Sequence, residues 1–144
     1  MILRSENDTA AVGGQLARVA RRGDVIALAG PLGVGKTALV RGFLAALGYC
    51  AEVPSPSFAI VQPYEGLEPP AWHVDLFRLQ HPSELAELGL DSADDAVLLV
   101  EWPERAGPGA WTNALHLSLD FAEAGARRLT AQVPPAWEGR WPPQ

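Results

Sequence analysis

The chain has 144 residues, of which 48% are hydrophobic and 19% charged, with a net charge of −6; that is enough length for one domain whose core needs neither disulfides nor a structural metal. Acidic charge argues against a protein that grips nucleic acid with its own surface and favours a basic partner. The lone cysteine, Cys50, excludes an internal disulfide and any cysteine-based zinc or iron–sulfur site, fits a reducing compartment, and reads as a small buried hydrophobe. The opening "MILRSENDTA" has no basic segment followed by an apolar core and a small-residue cleavage site. No uncharged run approaches the ~20 residues of a membrane span, so a cytoplasmic protein without membrane contact is expected.

The first predicted helix runs from Thr9 to Arg22, capped by Asp8 or Thr9 and stopped by Gly23, although Gly13 and Gly14 weaken it. "DVIALAG" reads as a buried strand over Val25 to Ala29, and "KTALVRGFLAALG" as a helix whose Leu39, Val40, Phe43, Leu44 and Leu47 recur at helical spacing before Gly48. "SFAIVQPYEG" and "AWHVDLFRL" are predicted strands separated by the turn-rich "EGLEPP", and a short helix follows over Pro82 to Leu88. "AVLLVEW" has the apolar run of a strand buried on both faces. "ALHLSLDF" and "RRLTAQV", joined by "AEAGA", form a predicted hairpin. The resulting domain spans residues 1–133; the Pro- and Trp-rich tail 134–144 is expected to lie outside the core, with its indoles docked on the surface or on a partner.

Between the first long strand and its helix lies "GPLGVGKT", which matches Gly-x4-Gly-Lys-Ser/Thr in the strand–loop–helix context that this motif requires. Gly33, Val34 and Gly35 can turn backbone N–H groups inward around a phosphate, and the helix entered through Lys36, Thr37 and Ala38 adds its positive end. Lys36 is the chain's only lysine beside ten arginines. Its compact ammonium suits the β and γ phosphates where a wide, forked guanidinium would not, and Thr37 offers a hydroxyl to Mg²⁺. The guanine-reading Asn/Thr-Lys-x-Asp motif needs a second lysine downstream, and the chain has none, so ATP is inferred.

Two acids compete for the magnesium and γ-phosphate roles. Glu101 ends "AVLLVE", at the carboxyl edge where open α/β sheets bind ligands. Asp75 lies in "HVDLF" on the same face as His73 and opposed to Val74 and Leu76. In "VPSPSF" Pro54 and Pro56 stiffen the backbone around Ser55 and Ser57, whose hydroxyls are suited to sensing Mg²⁺ or the γ phosphate. Trp102, next to Glu101, is a candidate wall of the site. His73 and His81 lack metal-ligand spacing and read as hydrogen-bonding residues.

These residues resemble the TsaE (YjeE) family, small ATPases of tRNA threonylcarbamoyladenosine biosynthesis. The resemblance covers roughly Thr9 to Val133 and rests on "GPLGVGKT", "VPSPSFAIVQPY", "HVDLFRLQHPSELAELG" and "VEWPER". It implies that Lys36 and Thr37 bind phosphate and Mg²⁺, Glu101 completes the Mg²⁺ site, Asp75 serves hydrolysis and Trp102 supports activity. It further implies an arginine of the last strand near the nucleotide; Arg127 and Arg128 both fit, and Arg128 is taken. The implied partners are TsaB and TsaD, whose complex modifies adenosine 37 and through which tRNA is met indirectly. Pro31 stands where the family usually has an acid, Phe77 where it has Tyr, Ser57 where it has Thr, and Ala38 where it often has a hydroxyl. The expected fold is α/β and three-layered, a P-loop NTPase-like, mainly parallel sheet ending in an antiparallel hairpin. The expected activity is ATP hydrolysis, with a nucleotide-sensing adaptor or a small-molecule kinase as alternatives.

Overall fold

The computed structural model describes residues 1–53 and 61–143. Its elements run β1 (Ile2–Leu3), α1 (Glu6–Val19), β2 (Val25–Ala29), α2 (Lys36–Ala46), β3 (Val61–Tyr64), β4 (Ala71–Asp75), β5 (Val97–Glu101), β6 (Leu115–Phe121) and β7 (Arg127–Gln132), with short 3₁₀ turns including Pro82–Leu88 and Leu90–Ala93. The strands form one sheet in the order β1-β7-β6-β2-β5-β4-β3. Its centre, β6-β2-β5-β4, is parallel. Antiparallel pairs finish both edges: β6 with β7 and β7 with β1 on one side, β4 with β3 on the other.

Alternation along the strands builds two cores. Ile26 and Leu28, Val97 and Leu99, and Leu115, Leu117 and Leu119 face α1 and α2 and join Val12, Leu16, Leu39, Phe43 and Leu44. Val74, Leu98 and Val100 point to the opposite face and pack with Leu76, Leu79, Ala93 and Ala106. Both long helices therefore lie on one side, and the third layer consists of 3₁₀ turns and loops. β5 is buried at every position, as its unbroken apolar run predicts.

The first helix starts earlier than expected. Its cap is Ser5, whose hydroxyl accepts from Asp8 N–H at 3.1 Å, while Asp8 accepts from Arg4 N–H at 2.9 Å, a capping arrangement signalled by Ser-x-x-Asp. The helix ends at Val19, so Arg21 and Arg22 belong to the following turn. The glycines that weaken its sequence signal have a packing reason. A Cβ on Gly13 would sit 2.0 Å from Leu39 O, and one on Gly42 would sit 1.9 Å from Ala10 O, so α1 and α2 meet backbone to backbone. Behind that contact Thr9 is buried beside Gly35 of the glycine loop.

Two further expectations are corrected. Cys50 is exposed, because it follows the end of α2 in a surface loop and not a packed element. The tail does not lie outside the core: Trp137 is 0% exposed and belongs to the main hydrophobic cluster, with Trp141 packed against it. Arg140 secures this segment with both guanidinium ends on Asp24, at 2.7 and 3.0 Å, and a third bond to Val19 O at 2.9 Å. That last bond satisfies a carbonyl at the C-terminus of α1.

Candidate functional site

β2 runs into the loop at Gly30, where a Cβ would meet Leu119 O at 2.4 Å, so only glycine lets the chain leave the sheet here. Gly33 and Gly35 both have positive φ, 79° and 121°, the backbone freedom that curls the loop. Val34, 1% exposed, anchors it in the core, while Leu32 at its tip is exposed. α2 begins after Gly35 with no side chain capping it, which leaves its first-turn N–H groups for an anion.

Beside the loop is a cleft of about 460 Å³, lined among others by Gly33, Gly35, Lys36, Thr37, Ala38, Asp75, Glu101 and Trp102. Lys36 lies folded against its own loop, donating to Gly30 O and, at 3.5 Å, to Pro31 O. The Trp102 ring covers its ammonium at 3.6 Å, a cation–π contact. Burial lowers the Lys36 pKa, and the carboxylates of Glu101, Glu104 and Asp75 oppose that shift. Trp102 holds this position with a left-handed backbone, φ 59° and ψ 49°, and packs against Phe77 with ring centroids 4.9 Å apart and the planes tilted by 46°. The ring expected as a wall of the site thus lies over the Lys36 ammonium.

The two acids arrive together because β4 and β5 are parallel neighbours with Asp75 opposite Glu101. Both carboxylates emerge at the carboxyl edge of the sheet, on the helix face. Thr37 donates its hydroxyl to Glu101 Oε2 at 3.1 Å. Asp75 accepts from Phe77 N–H at 2.9 Å. Burial pushes the Asp75 carboxyl up; the Phe77 hydrogen bond opposes this and the Glu101 charge adds to it. A hydroxyl and a carboxylate converging beside a glycine loop and an uncapped helix start suit Mg²⁺, which takes one or two protein oxygens and fills its octahedron with phosphate and water. Among the described residues, no group of three or more His, Cys, Asp and Glu could hold a metal ion by itself.

Other expected residues fall differently. Arg128 is exposed and pairs in register with Ile2 at the sheet edge, away from the loop. Its neighbour Arg127, on the other face of β7, donates Nε–H to Val34 O at 2.9 Å and stacks on Phe121 at 4.6 Å. Alternation allows one of the two to reach the loop, and it is Arg127. Ser55 and Ser57 lie outside the described residues. His73 goes beyond the hydrogen-bonding role expected of it: fully buried, with Nε2 2.6 Å from Glu101 Oε2, it backs the site acid. Its signal in the sequence is the shared strand face with Asp75.

The chain is 42% identical over 115 residues to the tRNA threonylcarbamoyladenosine biosynthesis protein TsaE of Streptomyces coelicolor, covering 77% of this chain and 78% of that protein. It is 30% identical over 131 residues to the protein of the same name from Treponema pallidum, covering 90% and 96% of the two chains. The crystal structure of Bacillus subtilis YdiB superposes with a TM-score of 0.77 at 28% identity, over 94% of this chain and 85% of that one. The family model described as threonylcarbamoyl adenosine biosynthesis protein TsaE matches residues 3–129, which includes the glycine loop, both acids and the strands that carry them, and the chain belongs to the TsaE family.

Proposed function

We propose that this protein binds ATP with Mg²⁺ in the Lys36–Glu101 cleft and hydrolyses it to support threonylcarbamoyladenosine modification of tRNA at adenosine 37, acting on a TsaB–TsaD complex. The observation that carries the reading is the Thr37–Glu101 contact at 3.1 Å, a magnesium-type oxygen pair at the first turn of an uncapped helix that follows a glycine loop. In this reading the N–H groups of the loop and of Thr37 and Ala38 cradle the phosphates. Lys36 leaves the carbonyls of Gly30 and Pro31 for the phosphate oxygens, where its ammonium offsets the charge that develops as the γ-phosphoryl group departs. Mg²⁺, held by Thr37 and Glu101, would add Lewis-acid stabilisation to the same oxygens.

Asp75 accepts a hydrogen bond from water and orients it for attack, and burial raises the pKa of its carboxyl, which strengthens it as a base. Trp102 covers Lys36 and keeps bulk water from the cation, and Ser57 senses the γ phosphate. The acidic surface leaves tRNA to the partner proteins, and the work is cytoplasmic. No helix among the described residues is long and apolar enough to cross a membrane. The test is ATP binding and phosphate release with and without TsaB and TsaD, for wild type and Lys36→Ala. Binding and release that depend on Lys36 support the reading; a wild-type protein that binds no ATP in either setting rejects it.

A further inference from the structure

We infer that His73 is a positioning residue that holds Glu101 in its magnesium-binding orientation, an inference that rests on the magnesium–nucleotide reading of the cleft. A glutamate at the end of a strand has three rotatable bonds, and hydrogen bonds to the carboxylate are what fix it. Glu101 has two such partners, and both meet its Oε2. Thr37 reaches it from α2 at 3.1 Å, and His73 reaches it from β4 at 2.6 Å. The histidine is 0% exposed and Glu101 3% exposed, so the His73 contact is buried away from bulk water.

The carboxylate can only accept, so Nε2 carries the hydrogen. The other ring nitrogen, Nδ1, has no hydrogen-bond partner among the described residues. An unpaired buried polar atom costs stability, and the neighbouring residues of β4, Ala71 and Val74, show that apolar side chains pack well in this strand. A fully buried histidine that grips the site acid through Nε2, in a strand where apolar residues pack well, is placed for the site. Register supports this: His73 pairs with Leu99 and Asp75 with Glu101, so the ring stands one pleat behind both acids and out of reach of a ligand in the cleft. Its action is therefore through Glu101.

The experiment measures the magnesium concentration that half-saturates the binding of a fluorescent ATP analogue, and the analogue's affinity in EDTA, for wild type, His73→Leu and His73→Gln, each checked for folding by melting. The glutamine amide reaches about as far as Nε2 and restores an N–H donor. His73→Leu is expected to raise the magnesium midpoint about 10- to 100-fold and leave metal-free affinity unchanged, and His73→Gln to recover most of the difference. A wild-type midpoint in His73→Leu, equal losses with and without metal, or no recovery in His73→Gln would each overturn the assignment. Wild-type binding that ignores magnesium would instead overturn the metal reading, and the assignment with it.

Discussion

Gly13 and Gly14 are adjacent in α1, yet replacing each with alanine should move stability in opposite directions. A Cβ on Gly13 would lie 2.0 Å from Leu39 O and 2.8 Å from Phe43 N, whereas one on Gly14 would meet Gly42 O at 3.6 Å and Ala46 Cβ at 3.7 Å. An ordinary carbon–oxygen contact is about 3.3 Å, so Gly13→Ala must push α2 away by roughly 1.3 Å through backbone atoms that have no rotamer to escape into. Overpacking of this kind costs about 1–3 kcal/mol, and the upper end applies because the interior is nearly incompressible. At about 4 °C per kcal/mol for a chain of this size, melting should fall by about 10 °C. Gly14→Ala fits without displacement and gains the ~0.5–1 kcal/mol by which alanine exceeds glycine in a helix. Calorimetric melting of both variants is the assay, and nucleotide affinity should fall with Gly13→Ala alone, since Lys36 and Thr37 open the displaced helix. A Gly13→Ala protein that melts at or above Gly14→Ala would refute the argument.

Lys36→Arg should impair ATP binding nearly as much as Lys36→Ala, because a guanidinium does not fit between the loop carbonyls and the Trp102 ring; full phosphate release by Lys36→Arg would count against it. Glu101→Gln should weaken magnesium-dependent nucleotide binding, whereas Asp75→Asn should spare binding and slow hydrolysis; titrations with the reverse pattern would exchange the two roles. Burial raises the Asp75 pKa on folding, so the stability this acid contributes is present below its unfolded value of about 3.9 and lost as pH rises through the higher folded value. Asp75→Asn keeps an acceptor for Phe77 N–H and removes the buried charge, so it should be more stable than wild type at neutral pH, an advantage that urea titrations should find gone below pH ~4. Trp137→Ala should cost about 3–5 kcal/mol in urea unfolding without changing ATP affinity in folded protein, because the indole lies in the core and not in the cleft.

Much of the site was legible in the sequence, for a local reason. A glycine loop between an apolar strand and a helix, an acid closing a buried strand, and an acid on an alternating strand are patterns of a few residues each, and they specify the backbone shape around Gly33, Gly35, Lys36, Glu101 and Asp75. The start of α1 was equally local and was missed, since Ser5 and Asp8 spell a capping pattern outside the hydrophobic repeat. Other features have no local signature. Trp137 looks like part of a proline-broken tail, and only its place in the main hydrophobic cluster, with Asp24 and the Val19 carbonyl available to Arg140, turns it into core.

Sequence alone determined the order of the long helices and main strands, the glycine loop and its lysine, and the presence of two acids at strand ends, because periodicity and turn chemistry act over a few residues. The tertiary structure decided which of those pieces meet. Strand alternation shows that Arg127 and Arg128 face opposite ways, but only the position of β7 relative to the loop, 93 residues away from Val34, decides which one arrives there. The same holds for Thr37 and Glu101, which are 64 residues apart, and for His73 and Glu101, 28 apart. The sheet order and register that place β4 beside β5 and β5 beside β2 arise from long-range pairing, where many side chains are buried together and no single stretch carries the signal. For the same reason Gly13 and Gly42 read as weak points in two separate helices until the helices cross, when the missing side chains become the condition for contact.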